Sequence, residues 1–202
     1  MKLYYYPGAC SLATHIVLEW IGKPYELQKV NIHPKSADLL AVNPGGAVPV
    51  IEDQGWVLTQ NSAILNYLAD AFPEAELGGD GTAESRAEVN RWLGMVNSDM
   101  HPAFKPLFGT TAYLEDQTAI GKSQDNARQV LRKHFETLNA QLEGRDWIAG
   151  PRSVADPYLF VLLRWAKALK LDMAGLDNLE TYFERMQADA AVARVLKAEE
   201  AG

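Results

Sequence analysis

Met1-Lys-Leu-Tyr-Tyr-Tyr-Pro-Gly-Ala-Cys-Ser-Leu-Ala-Thr-His-Ile-Val-Leu18 opens the chain and decides how the rest is read. Lys2 to Tyr6 reads as a short strand and Pro7-Gly8-Ala9 as a turn. From Cys10-Ser11 onward the apolar residues Leu12, Ile16, Val17 and Ile21 recur at helical spacing. Cys10, the sole cysteine, thereby falls at a helix N-terminus. Unpaired backbone N–H groups and the positive end of the helix dipole favour an anion there, either the Cys10 thiolate or a bound thiolate or carboxylate. The alternative is a small buried hydrophobe, the usual state of an isolated cysteine. Working outward, Tyr25–Val30 reads as a second strand. The loop Asn43-Pro-Gly-Gly-Ala-Val-Pro49 leads into a strand at Val50-Ile51, and Trp56-Val57-Leu58 pairs with it as a hairpin. Gln60-Asn61-Ser62 then opens a helix over Ala63 to Phe72 that stops before Pro73.

Strand, helix, strand, hairpin and helix in this order are thioredoxin-like. The opening stretch, Asn43-Pro44 with Val48-Pro49, Ala63-Ile64, Tyr67-Leu68-Ala69-Asp70 and Ser153-Val154-Ala155-Asp156 follow one another along the whole chain. Together they resemble the glutathione S-transferase superfamily and, within it, the bacterial Beta class. The resemblance implies an α/β thioredoxin-like N-terminal domain that binds glutathione as co-substrate, an all-α C-terminal domain that supplies the electrophile pocket, and a homodimer.

Size and composition fit that plan. The chain has 202 residues, enough for two small cores. Strand and helix patterns mix over the first 75 residues, whereas helical period dominates from residue 84. The stretch 76–83, with Gly78-Gly79-Asp80-Gly81, reads as the linker between domains 1–75 and 84–202. The net charge of −7 argues against nucleic acid as a partner. No long apolar run or leader-like segment is visible, so a soluble cytoplasmic protein outside the membrane is expected. One cysteine forms neither an internal disulfide nor a Cys-x-x-Cys pair. His15, His33, His101 and His134 are too scattered for a metal site, and none is expected. The negative charge slightly repels an anionic ligand such as glutathione, so local donors have to outweigh it. Lys35 and the helix starts at Cys10-Ser11 and Gln60-Asn61 are the candidates.

The expected catalytic residues are Cys10, Ser11 and His101. Cys10 and Ser11 are placed to lower the pKa of a bound thiol, and Cys10 is expected to be accessible and activated itself. On base rates the Val48–Pro49 bond is trans; the resemblance implies a cis bond whose Val48 N–H and C=O pair with the ligand backbone as a strand would. Substrate-binding residues are expected at Lys35, Val48, Pro49, Gln60, Asn61, Ser98 and Asp99. Asn61 suits a carboxylate beside free helix N–H groups, or is simply a cap. Gln60 stands where the family commonly has an acidic residue, so it lacks the charge to pair with an ammonium group; Asp99 is the alternative source of that charge.

A long helix is expected over Ala83 to His101. At 100° per residue, Val89, Trp92, Leu93, Val96 and Met100 form its apolar stripe, and Gly94, Ser98 and His101 its polar face. Pro102 is expected to free the Ser98 carbonyl and to kink the helix. A neutral His101 imidazole suits a thiol's proton or hydrogen bond at neutral pH. His15 reads as structural. Ser153 to Asp156 has capping-box spacing, with the Ser153 oxygen reaching the Asp156 N–H and the carboxylate returning to the Ser153 N–H. Ala9, Phe104, Phe108, Tyr113 and Trp165 are the expected wall of a pocket for a small hydrophobic electrophile. Three activities stay open: conjugation of the glutathione thiolate, thiol transfer or isomerisation through Cys10, and non-catalytic binding on the same fold.

Overall fold

A computed structural model describes residues 1–201. The chain begins with Lys2–Tyr5 (β1), Ser11–Ile21 (α1), Glu26–Lys29 (β2), Ala37–Val42 (α2), Val50–Asp53 (β3), Trp56–Thr59 (β4) and Asn61–Ala71 (α3). The four strands lie in the order β2-β1-β3-β4; β1 runs parallel to β2 and antiparallel to β3, and β3 runs antiparallel to β4. Strand alternation sorts the side chains between two cores. Leu3, Tyr5 and Ile51 point into the large core shared with α1 and α3, whereas Tyr4 and Val50 point to the other face, against Val30, Leu39 and Val48. The helix α2 that carries Leu39 has no counterpart in the expected element order. It is six residues long, too short to show a full apolar stripe. This is the thioredoxin-like sheet.

Beyond α3 the chain is helical: Ala83–Gly94 (α4), His101–Ala103 (α5), Gln117–Gln141 (α6), Ala155–Ala168 (α7), Asp177–Ala188 (α8) and Ala190–Ala201 (α9). The stretch before α4 is pinned, since Leu77 is fully buried and its carbonyl accepts from Val154 N at 3.0 Å. None of the described helices is long and apolar enough to cross a membrane.

Between α4 and α5 the expected continuous helix widens. Residues Met95–Met100 form a π-helix, in which the His101 N–H bonds the Val96 carbonyl five residues back. Pro102 has no N–H to give Ser98, so the ordinary bonding frame ends here. The wide turn holds more residues than 100° spacing allows, and everything after it is rotated toward the core. His101 is therefore not on the exposed face with Ser98 but half-buried, which corrects the polar-face expectation.

Two buried carboxylates organise the second half, and one of them ties it to the first. Asp156 at the start of α7 accepts from Ile148 N (3.0 Å), Ser153 N (2.8 Å) and Ser153 Oγ (3.0 Å). The Ser153 oxygen accepts from Ala155 N, not from Asp156 N as capping-box spacing suggests; the Asp156 N–H goes to the Ser153 carbonyl. At the other end of the second half, Glu199 in α9 reaches back to the first eighteen residues. Its Oε1 lies 3.0 Å from His15 Nδ1, and its Oε2 accepts from Gly8 N at 2.9 Å. His15 is thus buried and structural, between Tyr5 and Tyr25.

Candidate active site

The turn carrying Cys10 is closed by its own side chains. Ser11 is fully buried; its hydroxyl accepts from Tyr6 N and lies 3.2 Å from Tyr6 O as a donor. The proton expected to polarise a ligand thiol is spent on that carbonyl. Ser11 therefore contributes its backbone N–H at the start of α1 and not its hydroxyl, a correction to the expected catalytic role. The C-terminal half holds the same turn from outside: Glu199 takes the Gly8 N–H, and Trp165 Nε1 donates to the Gly8 carbonyl at 2.9 Å.

Cys10 Sγ donates to the Val48 carbonyl at 3.2 Å. Two effects oppose each other at this thiol. Burial disfavours the thiolate, whereas the N–H groups of Cys10 and Ser11 favour it, and burial wins, pushing the thiol up to about 12. Part of the residue touches solvent, while burial around the sulfur dominates its acidity. This runs against the expectation of an activated thiol, and the residue itself stays partly accessible. Alkylation at pH 7.5, followed by intact mass, is expected to run about a hundredfold or more below the rate of free cysteine, because the thiolate fraction is so small. A rate equal to the free amino acid would refute the burial account.

The Val48–Pro49 peptide is cis. The Val48 carbonyl faces Cys10 instead of standing clear for a ligand backbone, so it is already one acceptor in use. Lys35 is brought to the same loop: its Nζ donates to the Gly45 carbonyl at 2.8 Å, and its stem lies across Gly46. At Gly46 φ is +63°, a left-handed conformation that glycine adopts without strain, and an added Cβ would displace the flexible Lys35 stem.

Asn61 begins α3, but its amide is committed inside the protein. Its Oδ1 accepts from Thr14 Oγ1 at 2.8 Å and its Nδ2 donates to the Cys10 carbonyl at 2.9 Å. It ties α3 to the thiol turn and is buried, which corrects its reading as a carboxylate contact. Gln60 stays exposed at the N-cap, with φ +74° and ψ 112°. A side chain rarely adopts that conformation, and such strain gathers at ligand-facing positions. Ser98 and Asp99 are exposed on the π-helix; Ser98 bonds only Asn97, and no bond joins either residue to the Cys10 cluster.

His101 does join it. Its Nδ1 lies 2.6 Å from the Tyr158 hydroxyl, and its ring meets Trp165 edge-on with centroids 4.9 Å apart. Burial, helped by Lys105, lowers its pKa to about 4, so the imidazole is neutral at physiological pH. Phe104 and Phe108 pack on Trp165 to complete an aromatic wall, while Tyr113 is 78% exposed and stands outside it. From sequence Tyr158 reads simply as an aromatic residue of an apolar helix. The sequence signal for more was a hydroxyl within an apolar helix, since a buried phenol requires a partner. A groove of about 740 Å3 opens elsewhere, along Gly78 to Thr82 with Arg86 and Arg152. Arg86 there is paired with Asp70, and the groove shares no residue with the Cys10 cluster.

A thiol at a helix start, a cis-proline loop beside it and a helical half closing over both define a thioredoxin-fold, thiol-handling protein. The family models agree: "Glutathione S-transferase, N-terminal domain" matches residues 1–70 and "Glutathione S-transferase, C-terminal domain" residues 121–185. The chain belongs to the glutathione S-transferase family. It is 54% identical to glutathione S-transferase GST-4.5 of Xanthomonas campestris pv. campestris over 98% of each chain. A solved glutathione S-transferase from Xylella fastidiosa superposes with TM-score 0.95 at 50% identity over 98% of each chain. A bacterial Beta-class enzyme of Sphingomonas chungbukensis gives 0.87 at 37%, again over 98% of each.

Proposed function

We propose that this protein conjugates the thiolate of glutathione to small hydrophobic electrophiles. The observation that carries the reading is that the turn before α1 is bonded both to the Val48–Pro49 loop, through Cys10 and the Val48 carbonyl, and to the His101–Trp165 wall, through Trp165 and the Gly8 carbonyl. The glutathione thiol lies at the start of α1, where the N–H groups of Cys10 and Ser11 face an anion. Val48, Pro49 and Lys35 line the backbone of the tripeptide, and Gln60 its γ-glutamyl end. The thiol loses its proton, its sulfur forms a bond to the electrophilic carbon, and the leaving group departs with the electron pair of its own bond. Phe104, Phe108 and Trp165 receive the apolar partner. Ser98 and Asp99, exposed on the π-helix, reach a ligand only as part of a homodimer, which we include in the proposal along with domains at 1–75 and 84–202, a linker at 76–83, a detoxifying role and a cytoplasmic location.

The enclosed Cys10 thiol favours conjugation over a mixed-disulfide route, since thiol exchange needs an accessible thiolate. The test is steady-state turnover of glutathione with an activated aryl chloride. Cys10→Ala is expected to retain conjugation, and His101→Ala to lower kcat by about tenfold to a hundredfold with little change in KM for glutathione. Loss of all turnover in Cys10→Ala together with full activity in His101→Ala would reverse the assignment.

A further inference from the structure

The hydrogen bond between Tyr158 and His101 has a direction, and the direction decides what His101 offers a ligand. The Cys10 carbonyl can only accept, so the Asn61 atom 2.9 Å from it is the amide nitrogen. The Thr14 hydroxyl donates to the other end of that amide. The second N–H of Asn61 is then free for the Tyr158 oxygen, toward which Asn61 acts as a hydrogen-bonding neighbour. The Tyr158 hydroxyl is buried, and His101 Nδ1 at 2.6 Å is the acceptor the structure gives it. Were Nδ1 to carry a hydrogen, the phenol proton would be left buried without an acceptor.

We propose that Tyr158 is a positioning residue that fixes the tautomer of His101, so that the imidazole presents an Nε2–H donor to the thiol site. No described protein group bonds Nε2, which leaves it for a ligand. The ring is neutral, and the phenol is held well above its ordinary range by burial, so the proton between them stays on the tyrosine oxygen. His101 then stabilises the glutathione thiolate by donating a hydrogen bond to it. It does not take the thiol's proton: its one basic nitrogen is occupied, and the proton leaves to solvent water before the carbon–sulfur bond forms. This rests on the reading above that a thiol binds at the start of α1. The chain Cys10 carbonyl, Asn61, Tyr158, His101 thereby joins the peptide beneath the thiol to the donor above it.

The test uses the full-length protein with 15N-labelled histidine. Long-range proton–nitrogen correlation distinguishes the two neutral tautomers, and His101→Asn identifies the signal. Wild type is expected to show a single Nε2–H pattern between pH 5.5 and 8, about the range over which an ordinary histidine titrates. Tyr158→Phe, which keeps the ring, is expected to show exchange between both tautomers and a kcat lower by about three- to tenfold at unchanged KM for glutathione. An Nδ1–H pattern in wild type, or an unchanged spectrum in Tyr158→Phe, would overturn the assignment. If Tyr158→Phe does not fold, the wild-type pattern alone decides. Unchanged turnover in His101→Ala would also overturn the donor role, whereas failure of wild type to bind glutathione in calorimetric titration would instead defeat the thiol-site reading.

Discussion

Asp156→Ala is expected to melt roughly 10 °C below wild type, from a loss of about 3–5 kcal/mol in a chain of this size. The carboxylate is fully buried and accepts three hydrogen bonds from Ile148 and Ser153, so alanine leaves three donors in the core with nothing to receive them. Its partners hold the segment before α7 against the helix start, and the Asp156 carbonyl also accepts from Tyr182. Burial is the largest influence on the carboxyl and raises it from 3.8 to about 6, against the pull of its donors. A folded-state pKa above the unfolded one means that the folded protein binds this proton more tightly. The group's contribution is full below pH 4 and fades as pH rises through 6. The melting-temperature gap between wild type and Asp156→Asn, which does not titrate, should accordingly narrow from pH 4 to pH 7. A gap that widens would mean that the three donors outweigh the burial.

Glu199→Ala carries the second large effect, again about 3–5 kcal/mol and roughly 10 °C in differential scanning calorimetry. It strips the Gly8 N–H, in an exposed turn, and the buried His15 Nδ1 of their shared acceptor. Glu199→Gln separates charge from geometry. The Gly8 N–H needs an oxygen, and the glutamine oxygen supplies it; His15 is ambivalent, and its Nδ1 can accept from the glutamine NH2 by changing tautomer. Glutamine should therefore recover most of the stability and of the turnover that alanine loses. If glutamine proves as harmful as alanine, the carboxylate's charge and not only its geometry holds the fold.

Local patterns carried far in this chain, and they failed where neighbours in space took over. The strand–turn–helix start at Cys10, the hairpin and α3 were legible because their apolar spacing and turn residues agree with one another. α2 left too short a pattern to register. His101 leaves the polar face because a constant 100° per residue does not hold across a π-helix, which Pro102 signals in the sequence without locating. The chemistry of the thiol turn was misread for a different reason. A helix N-terminus is visible in sequence, but the enclosure of Cys10, the inward turn of Ser11 onto Tyr6 and the capture of Asn61 by Thr14 depend on residues from separate elements. Sequence showed which donors stood near the thiol; packing set which of them were still free.

Gly8 places the two ends of the site in thermodynamic communication. One face of its peptide belongs to the turn that holds Cys10, and its carbonyl is bound by the indole of Trp165, part of the aromatic wall. On the proposed reading, an apolar compound against that indole and a thiol at the α1 terminus would both bear on this one peptide unit. Whatever coupling free energy the first exerts on the second is returned in equal measure, because the cycle of four binding states must close. Affinity for glutathione measured with the wall empty is then one corner of a square, and coupling carried by the indole–carbonyl bond would be read as its change when the wall is filled.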